Sequence, residues 1–430
     1  MLSSMNLIPF AARNRFTALL AGAMAICAGG SPAQDPPLPV IPQTTFNITH
    51  YGAVGDGKTL NTAALQKAID AAAAAGGGTV LVPPGKFLTG PFRLTNSLNL
   101  HLVKGATIAI SDDLTTYPVT RERYQDSITA NNAHDLEISG EGTIDGQGEA
   151  WWNAFRANKA MTHRPYLIKL SNCTRVRVQG VTLCNSPMFH LVPQNCTDVT
   201  IRGITIKSPA DAPNTDGIDP SGWNFLIADC LIDGGDDNIA IKPSTSRQPG
   251  NKNFRITNCQ FLHGHGCSIG SGTTGGIEDV LVSHCVFDQT DAGIRIKTLR
   301  GNGGLLQNCT YEDLRMTAVK NPIYIIDWYP ERTAPKDPAT EQAEPVTDRT
   351  PFNRNLTIRN VTATNCPTAG TIRGLPEAPV TGVLLSNVTI SAKAGMRIYH
   401  AKEIKFLRSQ IKVESGKALT TFDADVTGLE

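Results

Sequence analysis

The sequence predicts an all-β fold, a single-stranded right-handed parallel β-helix (a solenoid) with a short N-terminal capping helix. Three observations carry that expectation. A strand pattern recurs at coil-length intervals, a turn-forming residue closes each repeat, and one amphipathic stretch of helical period precedes the repeats.

The elements follow in order. Arg13 and Arg15, the apolar run Phe16 to Ala28 and the small residues Ser31-Pro32-Ala33 have the layout of an export signal over residues 1–33. The apolar run is short for a membrane span, and a bulky Ile26 before Cys27 speaks against a lipid anchor there. Residues 34–430 are then expected to form one β-helix domain, entered through a linker over 34–45. Hydrophobic residues make up 40% of the chain and charged ones 18%, with a formal net charge of +1. That balance provides no long-range attraction for nucleic acid or an anionic membrane, so any affinity for a polyanion must be local.

Phe46-Asn47-Ile48 reads as a first strand. Asn61 or Thr62 can cap a helix to about Ala75 that places Leu65, Ala68 and Ile69 on one face, and Gly76-Gly77-Gly78 stops it. Such a helix would cover the open end of the solenoid. Between strand and helix, Gly52 to Thr59 matches the phosphate-loop pattern GxxxxGK[ST] in full. Its context argues for a plain glycine-rich turn: the best helix cap comes later, Asp56 brings negative charge, and no βαβ series follows.

The repeat itself runs through Leu136-x-Ile138-x-Gly140, Val176-x-Val178-x-Gly180, Val199-x-Ile201-x-Gly203, Phe225-x-Ile227-x-Asp229, Phe254-x-Ile256-x-Asn258 and Val280-x-Val282-x-His284. Asn308-Cys309, Leu356-x-Ile358-x-Asn360 and Val383-x-Leu385-x-Asn387 extend it. From Gly180 the steps are roughly 23, 26, 29 and 26 residues, and Asn308 to Asn360 spans about two of them. The Gly/Asn position suits a turn of positive φ. Nine cysteines beyond Cys27, with no CxxC pair, are expected to be small inward-facing residues stacked coil on coil. Sequons such as Asn195-Cys196-Thr197 and Asn355-Leu356-Thr357 coincide with the turn-to-strand step, which favours a structural reading. Two stretches interrupt the pattern as cleft-forming loops, Gly146 to Arg164 with Trp151 and Trp152, and Tyr329 to Thr350.

Four short motifs fall about 20 to 30 residues apart, roughly one coil each: Asn214-Thr215-Asp216, Gly235-Asp236-Asp237, Gly264-His265-Gly266 and Arg295-Ile296-Lys297. Stacked strands lie about 4.8 Å apart, so these side chains can converge on one face. Three carboxylates held together cannot all ionise freely, and one keeps a proton. Glycoside hydrolysis needs that pair of states, a protonated carboxyl for the leaving oxygen and an ionised one for water or direct attack. Arg295 and Lys297, two apart on a strand, point the same way and could hold a sugar carboxylate. His265 between glycines could tune the acid through a hydrogen bond. Each motif alone is an ordinary turn or an exposed strand face; their order and spacing make the functional reading.

In that order the motifs resemble the polygalacturonases, family 28 of the glycoside hydrolases. The similarity extends to Phe46 through Thr62, Gly142 through Gly148 and Asn185-Ser186-Pro187. The resemblance implies a parallel β-helix that hydrolyses α-1,4 bonds between galacturonates with inversion and without cofactor or metal. It implies Asp236 as general acid, Asp216 and Asp237 as activators of water, His265 as an aid to the acid, and Arg295 and Lys297, with Asn214, as substrate-binding residues. Coil spacing alone would suit the closer carboxyl pair of a retaining enzyme. Departures are Asn238, where many relatives have Cys, and Asp219-Pro220 after Asn214 to Ile218. Tyr324, Trp328 and Tyr329 are the aromatic candidates beside the sugar. Another pectic polymer (rhamnogalacturonan or xylogalacturonan), a lyase on the same fold and a non-catalytic glycan-binding β-helix are the competing readings. An exported monomer acting on a galacturonan is the expected context.

Overall fold

Short strands of alternating pattern can bury only one face each, and in this chain they bury it against their own counterparts one coil further on. The structure, a computed structural model, describes residues 34–120, 123–158, 163–243 and 250–429. The export signal expected over 1–33, with Cys27, lies outside the described residues. Pro36–Glu430 form one compact unit, a right-handed parallel β-helix.

Three ladders of parallel strands build it. One stacks Leu136, Val176, Val199, Phe225, Phe254, Val280, Cys309, Leu356 and Val383 in register. A second stacks Ile144, Leu183, Ile206, Ile232, Phe261, Phe287 and Met316. The third runs Phe92, Ile128, Ile168, Leu191, Ile218, Ile239, Cys267, Ile294 and Ile323. It narrows at Ile218 to a single bridged residue on each side. These inward side chains are almost wholly buried and form one continuous core. Within it Phe225 stacks on Phe254 with ring centroids 4.8 Å apart.

The expected turn residues sit where positive φ is needed: Gly180, Gly203, Asp229, Asn258, His284, Asn360 and Asn387 all have φ between 54° and 75°. Their amides also link coils, Asn258 Nδ2 donating to Asp229 Oδ1 (3.3 Å) and Asn387 Nδ2 to Asn360 Oδ1 (2.9 Å). Asn195 and Asn355, the sequon residues, occupy positive-φ positions as well, at 52° and 55°. Two details of the repeat need correction. Cys309 aligns with Val280, so Asn308 lies ahead of the inward pair and Asp313 (φ 55°) is the turn residue that follows it. Cys309 also pairs directly with Leu356, so the long interval up to Asn360 is one coil enlarged by the loop after Asp327.

All nine described cysteines are free and eight are buried, Cys184 being partly exposed, in agreement with the stacking role. At the N-terminal end helix α1, Thr62–Ala74, buries Leu65, Ala68, Ile69 and Ala72 against the first coils. Asn61 holds the N-cap position without capping the helix through its side chain. Its carboxamide instead bridges the preceding turn, accepting from Val54 N and donating to Thr59 O (2.6 Å). The phosphate-loop lookalike closes on itself: Asp56 Oδ1 accepts from Lys58 N and Thr59 N, both at 2.8 Å, so these amides are already filled. The stretch from Gly146 is a helix rather than a loop, α2 over Glu149–Ala157. Trp151 is buried between the edges of Tyr117 and Tyr124, and Trp152 Nε1 donates to Ser186 O (3.0 Å). The 329–350 stretch carries two short 3-10 turns, Glu331–Thr333 and Pro338–Thr340, and is tied down by a buried Arg373–Glu341 ion pair.

Candidate active site

The third ladder positions the chemistry. Ile218 bridges Ile239, which aligns with Cys267 and Ile294, so the turns and strands around them bring all four motifs to adjacent coils. Thr215 ties the first motif to the second, its Oγ1 accepting from Gly235 N and donating to Ala212 O, both at 3.0 Å. Asn238, the residue noted as a departure, is buried and staples the second motif to the third. Its Nδ2 donates to Ile232 O (3.0 Å) and His263 O (2.9 Å) while Oδ1 accepts from Gly266 N (2.8 Å). A Cys could not make these three bonds at once.

Asp237 is buried among donors. Arg295 Nη1 donates to its Oδ1 (2.6 Å), Lys297 Nζ to its Oδ2 (2.7 Å) and Ser268 Oγ to Oδ1 (2.8 Å). Burial alone would raise its pKa, but Lys297, Arg295 and Lys242 outweigh that and hold it well below the usual carboxylate range. Arg295 and Lys297 therefore point at Asp237, with 11% and 5% of their side chains exposed. Tyr329 faces both of them, its ring centroid 5.3 Å from Lys297 Nζ and 5.9 Å from Arg295 Cζ. Tyr324 follows Arg295 in the strand register and donates its hydroxyl to Glu331 (2.9 Å), whereas Trp328 lies under Arg300.

Asp236 faces His265, whose Nδ1 is 2.9 Å from Oδ1 as an ion-pair contact without the alignment of a good hydrogen bond. Burial raises the Asp236 pKa, but the His265 contact more than offsets it, and the net direction is down. For His265 burial acts downward and the Asp236 contact prevails, so its pKa is raised. These directions put the proton of the pair on His265 and leave Asp236 ionised. Asn214 Nδ2 lies 3.5 Å from Asp236 Oδ2, and its Oδ1 accepts from the buried Arg164 Nη2 (3.0 Å). His265 owes its position to its glycines: a Cβ on Gly264 would overlap Asp236 O, and one on Gly266 would overlap Ala292 O.

Asp216 is buried on the other side of Asp237. Burial, helped by Asp236 and Asp237, raises its pKa to about 7 against the pull of Lys242. Lys242 Nζ donates to Asp216 Oδ2 (3.0 Å) and lies 3.2 Å from Asp219 Oδ2 and 3.9 Å from Asp237 Oδ2. Below them His190, fully buried, directs Nδ1 at Asp216 O (3.0 Å), and its Nε2 accepts from Ser186 N (3.4 Å). A carbonyl only accepts and an amide only donates, so the proton sits on Nδ1 and the ring is neutral. Burial holds its pKa down at about 4.

All seven residues expected from the sequence thus meet in one cluster. Lys242, Ser268, Arg164 and His190 join it unannounced by any motif, together with Asp219 and Asn238, which the sequence marked only as departures. A cavity of about 400 Å³ opens beside the cluster, lined by Asp219, Lys242, Tyr166, Phe189, Arg123 and Lys169. Tyr166 and Phe189 stack there with centroids 4.9 Å apart. A larger one of about 730 Å³, between Asp145, Trp152, Arg156 and Asp211, contains none of the seven residues. Asp236, Asp237 and His265 offer three donor atoms within 4.8 Å of one another, the spacing of a metal site. Each Asp237 oxygen is already taken by a cation, so the donor set suits a proton-handling cluster better than a dication.

Comparison with known proteins agrees with the geometry. Residues 75–411 match Glycosyl hydrolases family 28, and residues 45–101 match Rhamnogalacturonase A/epimerase, pectate lyase-like. The chain belongs to family 28 of the glycoside hydrolases. A probable polygalacturonase of Vitis vinifera is 34% identical over 373 residues, which cover 81% of this chain and 74% of that one. Among solved structures, a hyperthermoactive exopolygalacturonase from Thermotoga maritima superposes with a TM-score of 0.71 at 27% identity, covering 91% of this chain and 94% of that one. The polygalacturonase from Erwinia carotovora ssp. carotovora gives 0.68 at 25% identity, covering 93% and 99%.

Proposed function

We propose that the chain hydrolyses the α-1,4 bonds between galacturonate residues of pectin-type polymers. The observation that carries this reading is the division of labour among adjacent carboxyls: Asp237 is held ionised by Arg295 and Lys297, while Asp236 stands 2.9 Å from His265, which holds the proton of that pair. In this reading Asp236 takes that proton and passes it to the leaving glycosidic oxygen, His265 serving as its source. Asp237, with Asp216, orients water and accepts its proton as the new C–O bond forms. The Arg295 and Lys297 side, with Tyr329 and Asn214, receives the sugar and its carboxylate. Polygalacturonases among the relatives support the substrate class. In the same reading the chain is exported on residues 1–33, consists of one catalytic domain over 34–430, and works as a monomer on galacturonan without a metal or cofactor.

The test is incubation of the purified mature chain with polygalacturonate, following reducing ends and product masses. Saturated oligogalacturonates are expected, and Asp236→Asn and Asp237→Asn should each lower the rate by about 10² to 10⁴-fold. Fresh product examined by proton NMR should appear first as the β-anomer, the outcome of inversion. Release of unsaturated product would replace hydrolysis by elimination, and no release from any pectic polymer would refute the reading.

A further inference from the structure

We infer that Lys242 is a positioning residue that, by bridging Asp216 and the buried Asp219, fixes the orientation and the charge state of Asp216. The inference deepens the hydrolase reading, on which the catalytic consequence rests, but its geometry stands by itself. The cluster contains four carboxyls and four cationic or protonatable partners, and the partners are unevenly assigned. Asp237 takes both Arg295 and Lys297, and Asp236 takes His265. Among the described residues only Lys242 is left for Asp216 and Asp219, at 3.0 and 3.2 Å. Among the described residues neither oxygen of Asp219 has an aligned hydrogen-bond donor, and its side chain is fully buried. One ammonium cannot neutralise two buried carboxylates, so the pair retains a proton and Lys242 governs how it is divided.

Among the described residues the groups facing Asp216 leave no other candidate for that task. Asp236 and Asp237 repel a charge there, and Asp216 in turn raises Asp219. Arg295 and Lys297 are spent on Asp237, His265 on Asp236, and His190 meets only the Asp216 carbonyl as a neutral ring. Tyr166, two coils earlier, carries no positive charge. The direction of titration agrees: burial drives both carboxyls upward, and Lys242 is the largest opposing influence on Asp216. Lys242 also keeps about a quarter of its side chain open to the cavity beside Tyr166 and Phe189. It is the one cation of the cluster that joins the carboxyls to that cavity.

The experiment is a carboxylate carbon NMR titration of the labelled full chain, with Asp216 assigned by the signal lost in Asp216→Asn. In Lys242→Met its midpoint should rise by at least about one pH unit, and in Asp219→Asn, where Lys242 serves Asp216 alone, it should fall by a similar amount. Lys242→Arg should hold it near the parent value. Alongside, the acidic limb of kcat on polygalacturonate should move in the same directions. A midpoint that stays put in both Lys242→Met and Asp219→Asn overturns the inference, and Asp219→Asn alone decides it if Lys242→Met does not fold. The two readings separate cleanly. Shifted midpoints in a chain that releases no sugar would sustain the positioning role and remove the hydrolase, while fixed midpoints in an active enzyme would do the reverse.

Discussion

At the scale of single residues, the cluster behaves as a set of opposed titrations. Asp237 is depressed by Lys297, Arg295 and Lys242, so its ionised form contributes stability above the ordinary carboxylate range, and that contribution is lost as pH falls. Asp216 has the opposite sign. Its folded pKa is about 7 against 3.8, so between these values the folded chain holds a proton that the unfolded chain releases. Stability therefore declines as pH rises through that window, by on the order of 2 to 4 kcal/mol once Asp216 is ionised. Asp216→Asn removes the term, and its gain in Tm over the parent should be larger at pH 8 than at pH 4, which thermal unfolding of both proteins at the two pH values measures. An equal difference at both would show that Asp216 titrates normally. The seven expected residues were legible because each sits in a short local pattern repeated at coil spacing. Lys242 and Asp219 were less so, since their partnership spans a coil and has no local signature. The available signals were a lone Lys ending the apolar run Ile239-Ala240-Ile241 and an Asp placed three residues after Asp216. Both mark a charge entering the core face, which only pairing makes tolerable.

At the scale of elements, turns and strands divide the work between aiming groups and burying surface. The fold was readable because period-two alternation and positive-φ turn residues are local properties, visible residue by residue. What escaped the sequence was set by insertion and by tertiary contact. Helix α2 has a polar exterior and is fixed by Trp151 lodged between two tyrosines, and the single coil that contains Tyr329 to Thr350 looked like two because length alone cannot distinguish a loop from a repeat. The glycines around His265 show the aiming function. Gly264→Ala must adopt a φ of 85° and push against Asp236 O, so His265 should lose its contact with the acid. The expected result is a fall in kcat of at least about tenfold and a moved alkaline limb in the pH–rate profile; a profile unchanged in shape would mean that His265 does not serve Asp236. The core strands show the other function. Phe254→Ala removes a ring stacked between coils, and should lower unfolding free energy by about 3 to 5 kcal/mol in urea titration.

At the scale of the molecule, a chain of net charge +1 has to attract a polymer carrying one carboxylate per sugar. It can do so only by concentrating its cations where the polymer lies. Arg123 and Lys169 border the cavity on one side of the carboxyl cluster, Lys242 stands between, and Arg295 and Lys297 follow on later coils. Because the solenoid stacks these positions along one face, the row runs along the β-helix axis, as an extended chain would. The residues beside the reaction are buried and screened little by salt, whereas the outer members of the row are more open to solvent. Ionic strength should therefore separate the two contributions. KM for polygalacturonate is expected to rise several-fold between about 20 and 300 mM salt, as the Debye length shrinks from about 20 Å to below 8 Å. The kcat should change much less, because Asp237 keeps its cations inside the fold. Lys169→Gln should flatten the salt dependence of KM without moving the pH limbs of kcat. A KM that ignores salt would mean that the polymer is held by its hydroxyls and ring faces, with Tyr166 and Phe189 rather than the row of cations as its platform.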